Sequence, residues 1–183
     1  MISNSAIKGF LLALTSSFIL NGCAMSPDEI LHTNLNGYTY NNISRSYLDR
    51  PTEVSLYGDT LVVKVQGYGQ NDVGVLSIKP KDVEPTVAAI DKYLKWDALA
   101  TKRGDIVKKN IAEVGGYTYA ILGVNEGQHF FLSHIPVLGD HLDINLLGQL
   151  AILFPREEAI ELRKILLQLK DNALPRTDLS VYN

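Results

Sequence analysis

Cysteine is almost absent from this chain: one residue, Cys23, among 183. An internal disulfide is therefore excluded, and the fold must rest on a hydrophobic core. A body of about 140 ordered residues suffices, since domains of that size bury roughly two-thirds of their unfolded surface. A strong charge of either sign is missing too, the formal net charge being -3. Without Lys8, which lies in the leader described below, 16 basic residues face 20 acidic ones. Nucleic-acid binders carry a basic patch or stripe, so nucleic acid is not an expected partner. The basic pairs Lys102-Arg103 and Lys108-Lys109 read as solvated surface. Long apolar runs are lacking as well. A membrane-spanning helix needs roughly 20 apolar residues, whereas the longest late candidate, Leu142 to Phe154, is interrupted by Asp143, Asn145, Gly148 and Gln149.

Signatures of catalysis are equally scarce. There is no Gly-x-Ser-x-Gly elbow and no His-Glu-x-x-His pair. The glycines around Tyr68 lack the lysine and hydroxyl of a phosphate loop, and strands flank them on both sides. A turn is the expected reading. What remains, 46% hydrophobic and 20% charged residues, is the composition of one globular domain.

The first two dozen residues carry the clearest pattern. Met1 to Gly9 is polar with one positive charge, Lys8, and Phe10 to Leu20 follows without a charge. Asn21-Gly22-Cys23 comes next. A positive start, a short apolar stretch and small residues at its end form a secretory signal peptide. At Leu20-Asn21-Gly22-Cys23 the chain resembles the lipobox of bacterial lipoproteins, with Leu20 three places before the cysteine and the small Gly22 just before it. Asn21 stands where alanine, serine or threonine is commoner. The resemblance implies that Cys23 receives a diacylglycerol, that residues 1–22 are cut away, and that the new amino group is acylated. Leu20 and Gly22 would then be read by the signal peptidase. Two or three acyl chains on one residue hold firmly where one alone binds marginally. Ala24 follows in place of the aspartate associated with inner-membrane retention, which favours the outer membrane, periplasmic face. The plain alternative is a secreted protein with a free thiol.

Residues 23–50 read as a lipidated N-terminus and polar tether, with Pro27, Gly37 and the asparagines Asn34, Asn36, Asn41 and Asn42. A flexible tether of some 20 residues reaches about 25 Å. A single α+β domain is expected over 51–174, with a loose tail over 175–183. Apolar alternation on either side of Gly58-Asp59 predicts a hairpin, and Val73 to Lys79 a third strand. Val83, Val87, Ile90, Leu94 and Ala98 then fall at helical spacing, with Gly104 as the stop. Strands follow over Ile106–Val114, Tyr117–Val124 and His129–Ile135. Leu142 to Leu153 is ambiguous and leans to a strand, and a last helix runs from Pro155 to about Lys170, burying Ala159, Leu162, Leu166 and Leu169. The expected class is α+β, a mostly antiparallel sheet with two helices packed on one face.

Two groups of residues invite functional readings. His129, His134 and His141, with Asp140 and Asp143, are the one concentration of potential metal ligands. On an extended strand, however, His129 and His134 point to opposite faces, so neither a metal site nor a catalytic site is assigned and no cofactor is expected. Tyrosine is the other group: nine, against one tryptophan. Tyr38, Tyr40, Tyr57, Tyr68, Tyr117 and Tyr119 lie on or beside predicted strands, where they serve either as sheet packing or as a recognition row. Tyr93 and Trp96 on the first helix are expected in the core. Gly-Tyr-Thr-Tyr occurs at Gly37 and again at Gly116, too short a repeat to indicate a duplication. The expectation is a membrane-anchored binding or assembly module of the bacterial envelope, with an envelope protein as possible partner, and not an enzyme. Alternatives are a protective lipoprotein of the immunity or exclusion type, and an envelope hydrolase using the histidine region.

Overall fold

Val54 and Leu56 face Val63 and Leu61 across the tight turn at Gly58 (φ 61°), which gives the hairpin of β4 (Thr52–Tyr57) and β5 (Thr60–Gln66). In the computed structural model, which describes residues 27–69, 72–124, 127–134 and 151–174 (His134 through its backbone alone), this hairpin is the centre of a four-stranded sheet. Strand β1 (Glu29–Leu31) pairs with β4, and β6 (Val73–Ile78) with β5. A second sheet has the order β3-β2-β10-β9-β8-β7. Its members are β2 (Gly37–Asn41), β3 (Ser46–Arg50), β7 (Lys108–Val114), β8 (Tyr117–Val124), β9 (Gly127–His134) and β10 (Ile152–Phe154). Every pairing among the described strands is antiparallel. Two helices, α1 (Pro80–Arg103) and α2 (Arg156–Lys170), complete an α+β fold.

Two expectations need correcting. One sheet was expected, and there are two. Pro51 sits between β3 and β4, where its missing N–H interrupts the ladder and the chain passes from one sheet to the other. The tether and the domain boundary at residue 51 also give way, because β1, β2 and β3 all lie within residues 23–50. The reason is visible in β2. Its inward residues are Gly37 and Thr39, both buried, while Tyr38 and Tyr40 face outward. A Cβ on Gly37 would stand 2.4 Å from Val65 Cγ2 and 3.2 Å from Ile152 Cγ2, so only glycine lets the two sheets approach here. Thr52 Oγ1 accepts the Gly37 N–H at 2.8 Å and donates to the Arg50 carbonyl at 2.9 Å, stitching the junction.

The main core lies between the sheets and the helices. Across the six-stranded sheet, Ile121, Phe130 and Phe154 form one row, and Tyr119, Leu132 and Ile152 the next. All six are buried, with Val63, Val65, Leu76 and Ile78 of the other sheet in the same cluster. Burying each large apolar side chain contributes roughly 1.5–3 kcal/mol. Helix α1 packs on β7, β8 and β9, and α2 on β9 and β10.

Pro80 opens α1 at a position where no N–H is needed. Gly104 (φ 70°) closes it, with its N–H and that of Asp105 returning to the carbonyls of Thr101 and Ala100. The buried face is Val83, Ala89, Ile90, Tyr93, Asp97 and Ala100, while Ala98 is exposed. It is rotated from the expected face so that Ala89, Ile90 and Tyr93 enter the core, and Asp97 on the same face pairs with Arg156 of α2. Asp91 pairs with Arg163 (2.6 Å) and Glu84 with Lys170 (2.6 Å), so three ion pairs run along the antiparallel helices. Trp96 is half-buried at the core's margin, not inside it.

Candidate functional site

Leu20, Gly22 and Cys23 lie outside the described residues, as do His141, Asp140 and Asp143. The histidine region is represented by His129 on β9, opposite Leu122. Its ring is buried, and Nδ1 meets no hydrogen-bond partner among the described residues. Burial holds its pKa below the ordinary value, against the upward pull of the Gly127 carbonyl and of Asp97. Among the described residues no three His, Cys, Asp or Glu side chains converge as metal ligands would.

Six of the described tyrosines fall into two sets, with Tyr57 and Tyr68 apart from both. Tyr93, Tyr117 and Tyr119 are core. Tyr119 stacks on Phe130 with centroids 5.4 Å apart, and burial pushes its hydroxyl up to about 12. Tyr117 donates no surface either, since its hydroxyl accepts the Ser77 N–H at 3.0 Å across the sheets. Tyr57 meets Lys64, whose Nζ lies 3.0 Å from the hydroxyl. Tyr68 carries the Arg50 guanidinium 4.3 Å from its ring centroid.

The second set gathers on the β2–β3 hairpin. Tyr40 and Tyr47 are directly opposed on one face and pack edge-on at 5.2 Å. Tyr38, on the same face, lies opposite Asp49, and burial first, then Asp49 and Glu158, raises its pKa. Tyr47 is buried while Tyr40 keeps 41% of its surface in water. At the tip, Asn41 Oδ1 accepts the N–H groups of Ile43 (2.8 Å) and Ser44 (2.9 Å), an Asx turn that fixes the connection. Arg45 completes it at φ 54°. Ile43 is thereby held 96% exposed. Among the described strands β3 is the last of its sheet on this side, and it lies next to two tyrosines and an isoleucine.

Tyr47 and Ile43 were not singled out in the sequence. Asn41-Asn42 was the available signal, as a turn between two tyrosine-bearing segments. No protein-family model matches the chain, and a search of curated proteins returns no match.

Proposed function

We propose that this protein is a lipid-anchored component of the bacterial envelope that faces the periplasm and binds a protein partner through the β2–β3 hairpin. The observation that carries the location is the one cysteine of the chain, set at the end of Leu20-Asn21-Gly22-Cys23 behind an uncharged stretch. Acyl chains there would hold a water-soluble domain at a bilayer, and Ala24 favours the outer membrane. The binding role is supported by a hairpin whose turn is fixed by hydrogen bonds and which shows Tyr40 and a fully exposed isoleucine, the ingredients of an aromatic contact surface. The reading is of a binding or assembly module and assigns no reaction.

The location is tested by Cys23→Ser. The native protein should stay with membranes through a high-salt wash and show acyl mass on the peptide beginning at residue 23, and the variant should lose both. A variant that remains in the membrane fraction, with a native protein free of acyl groups, would falsify the anchor. Binding is tested by a photocrosslinker at position 43 in cells. A discrete crosslinked species lost in Tyr40→Ala supports the hairpin, and the same species retained in Tyr40→Ala removes it.

A further inference from the structure

At the other end of the six-stranded sheet, α1 and β7 build a surface of different chemistry. Between Lys92 and Lys109 the chain holds six basic residues and two acidic ones, Asp97 and Asp105, in a protein whose net charge is -3. Both acids are already occupied, Asp97 by Arg156 and Asp105 by Arg103. Lys95, Lys102, Lys108 and Lys109 form no ion pair among the described residues. On the α2 side of α1, by contrast, Glu84, Asp91 and Asp97 are all neutralised by α2. The acids of α1 that form ion pairs thus lie toward α2, while the unpaired lysines of α1 and β7 stand on the other side.

Among those cations stands apolar surface. The Trp96 ring has Lys92 Nζ and Lys109 Nζ each 4.9 Å from its centroid. Lys92 also donates to the Ile111 carbonyl at 3.1 Å, which joins α1 to β7 at this point. Leu99 follows one turn on and is 55% exposed, and Ile106, just past the helix, is 86% exposed. Ile106 is not on a loose loop. Gln128 donates to the Asp105 carbonyl at 2.9 Å and accepts the Val107 N–H at 3.4 Å, gripping the backbone on both sides of it. Gly123 leaves the room, because a Cβ there would meet Ile106 Cγ2 at 2.8 Å and the Gln128 amide at 3.2 Å. The corner is built so that an isoleucine stays in water.

Lysines on an edge strand ordinarily discourage edge-to-edge pairing. That accounts for Lys108 and Lys109, but not for Leu99 and Ile106, nor for Lys95 on the helix. A tryptophan beside exposed aliphatic residues, ringed by cations, has the composition of side chains that settle at the headgroup level of a bilayer. The charge supplies the sign of the lipid, since anionic headgroups attract such clusters.

We propose that the Trp96, Leu99 and Ile106 edge, with its surrounding lysines, docks on an anionic phospholipid surface. The inference rests on the anchored reading for the nearness of a bilayer, and it adds an orientation. Strands β7 and β3 are the opposite ends of the sheet, separated by five strand spacings or roughly 24 Å. With β7 against lipid, the tyrosine hairpin faces away from it.

Trp96 is the only tryptophan, so its fluorescence reports on this edge and not on the leader. Full-length Cys23→Ser protein is mixed with vesicles of phosphatidylglycerol and phosphatidylethanolamine, and separately with phosphatidylcholine alone. Trp96 emission should shift to the blue with the anionic vesicles and be quenched by lipids labelled near the headgroup. Salt should weaken the response, and Ile106→Asp should abolish it. Lys95→Gln with Lys102→Gln should lower vesicle affinity on the order of tenfold, while Ile43→Asp at the opposite edge leaves it unchanged. A silent Trp96, an equal response in Ile106→Asp, or crosslinks from position 106 to an acidic protein in place of lipid would overturn the proposal. Acyl mass on Cys23 with a silent Trp96 sinks this surface and spares the anchor. A responding Trp96 in a protein without acyl groups does the reverse.

Discussion

The two ends of the six-stranded sheet solve the same problem with different residues. Each holds an isoleucine in water on a fixed corner, and each fixes that corner with a side-chain amide, Asn41 at the hairpin and Gln128 at the α1–β7 junction. Near Ile43 stand the tyrosines of the hairpin, with Arg45 as the one charged residue of the turn. Around Ile106 stand lysines and a half-buried tryptophan. Neither isoleucine serves the core, so composition around it is what distinguishes a surface suited to protein from one suited to lipid.

Both ends of the sheet rest on one core, and a cut there should cost the most. Phe130 is fully buried on central strand β9, packed on Tyr93 and Tyr119 with centroids 5.4 Å away in each case. Phe130→Ala should cost about 3–5 kcal/mol, lowering the denaturant midpoint, with amides of β2 and β7 losing protection together. Protection lost at only one end would show that the ends are separate folding units. Gly37→Ala should act at one end alone. Its new methyl meets Val65 of the other sheet, and overpacking of this kind costs about 1–3 kcal/mol. Hydrogen exchange should rise across β2 and β3, while Trp96 emission, at the far end, stays as it was.

The hairpin is where the sequence was least legible, for a physical reason. Gly-Tyr-Thr-Tyr occurs on β2 and on β8, yet the two copies face opposite ways. In β8, Tyr117 and Tyr119 point into the core, whereas in β2 the core side is Gly37 and Thr39. Alternation gives the period of a strand but not which face is buried; that is decided by the partners, here Val65 and Ile152. With small and polar residues inward and four asparagines nearby, residues 23–50 have the composition of a tether. The hairpin of β4 and β5, strand β6 and both helices were legible, since each buries its own apolar stripe. The split into two sheets turned on Pro51, a single residue whose role depends on where both strands go. Ile106 was expected to open a strand, and its exposure was not legible because what holds it, Gln128, is 22 positions away in sequence and adjacent only through the β8–β9 hairpin.

Gln128 allows a sharper and milder cut. Gln128→Ala removes the two hydrogen bonds that grip residues 105 and 107 but leaves the lysines and Ile106 in place. A cost of about 1 kcal/mol is expected, with exchange rising at the Val107 amide and the tyrosine hairpin unaffected. If rigid presentation of Ile106 matters, the vesicle response of Trp96 should weaken although no side chain at the surface has changed. An unaltered response would mean that composition alone suffices there.

A weaker response is to pH, and it again separates the ends. His129 adjoins Gln128 on β9 and sits buried, its pKa below the ordinary 6.5 chiefly through desolvation, which outweighs the Gly127 carbonyl and Asp97. In the unfolded chain the imidazole takes its proton near pH 6.5. Between that value and the lower folded one, the unfolded state binds more protons, so stability falls as pH drops through this window and levels off below it. Above pH 6.5 both states are neutral and the contribution vanishes. His129→Leu should therefore leave neutral-pH stability within about 1 kcal/mol and flatten this part of the acid limb, measured by denaturant titrations at stepped pH. Because the proton would enter beside Gln128, exchange at Val107 should respond to mild acid before exchange in β2 does. If β2 and β7 loosen at the same pH, and His129→Leu follows the parent curve, the acid sensitivity belongs to the shared core and not to this imidazole.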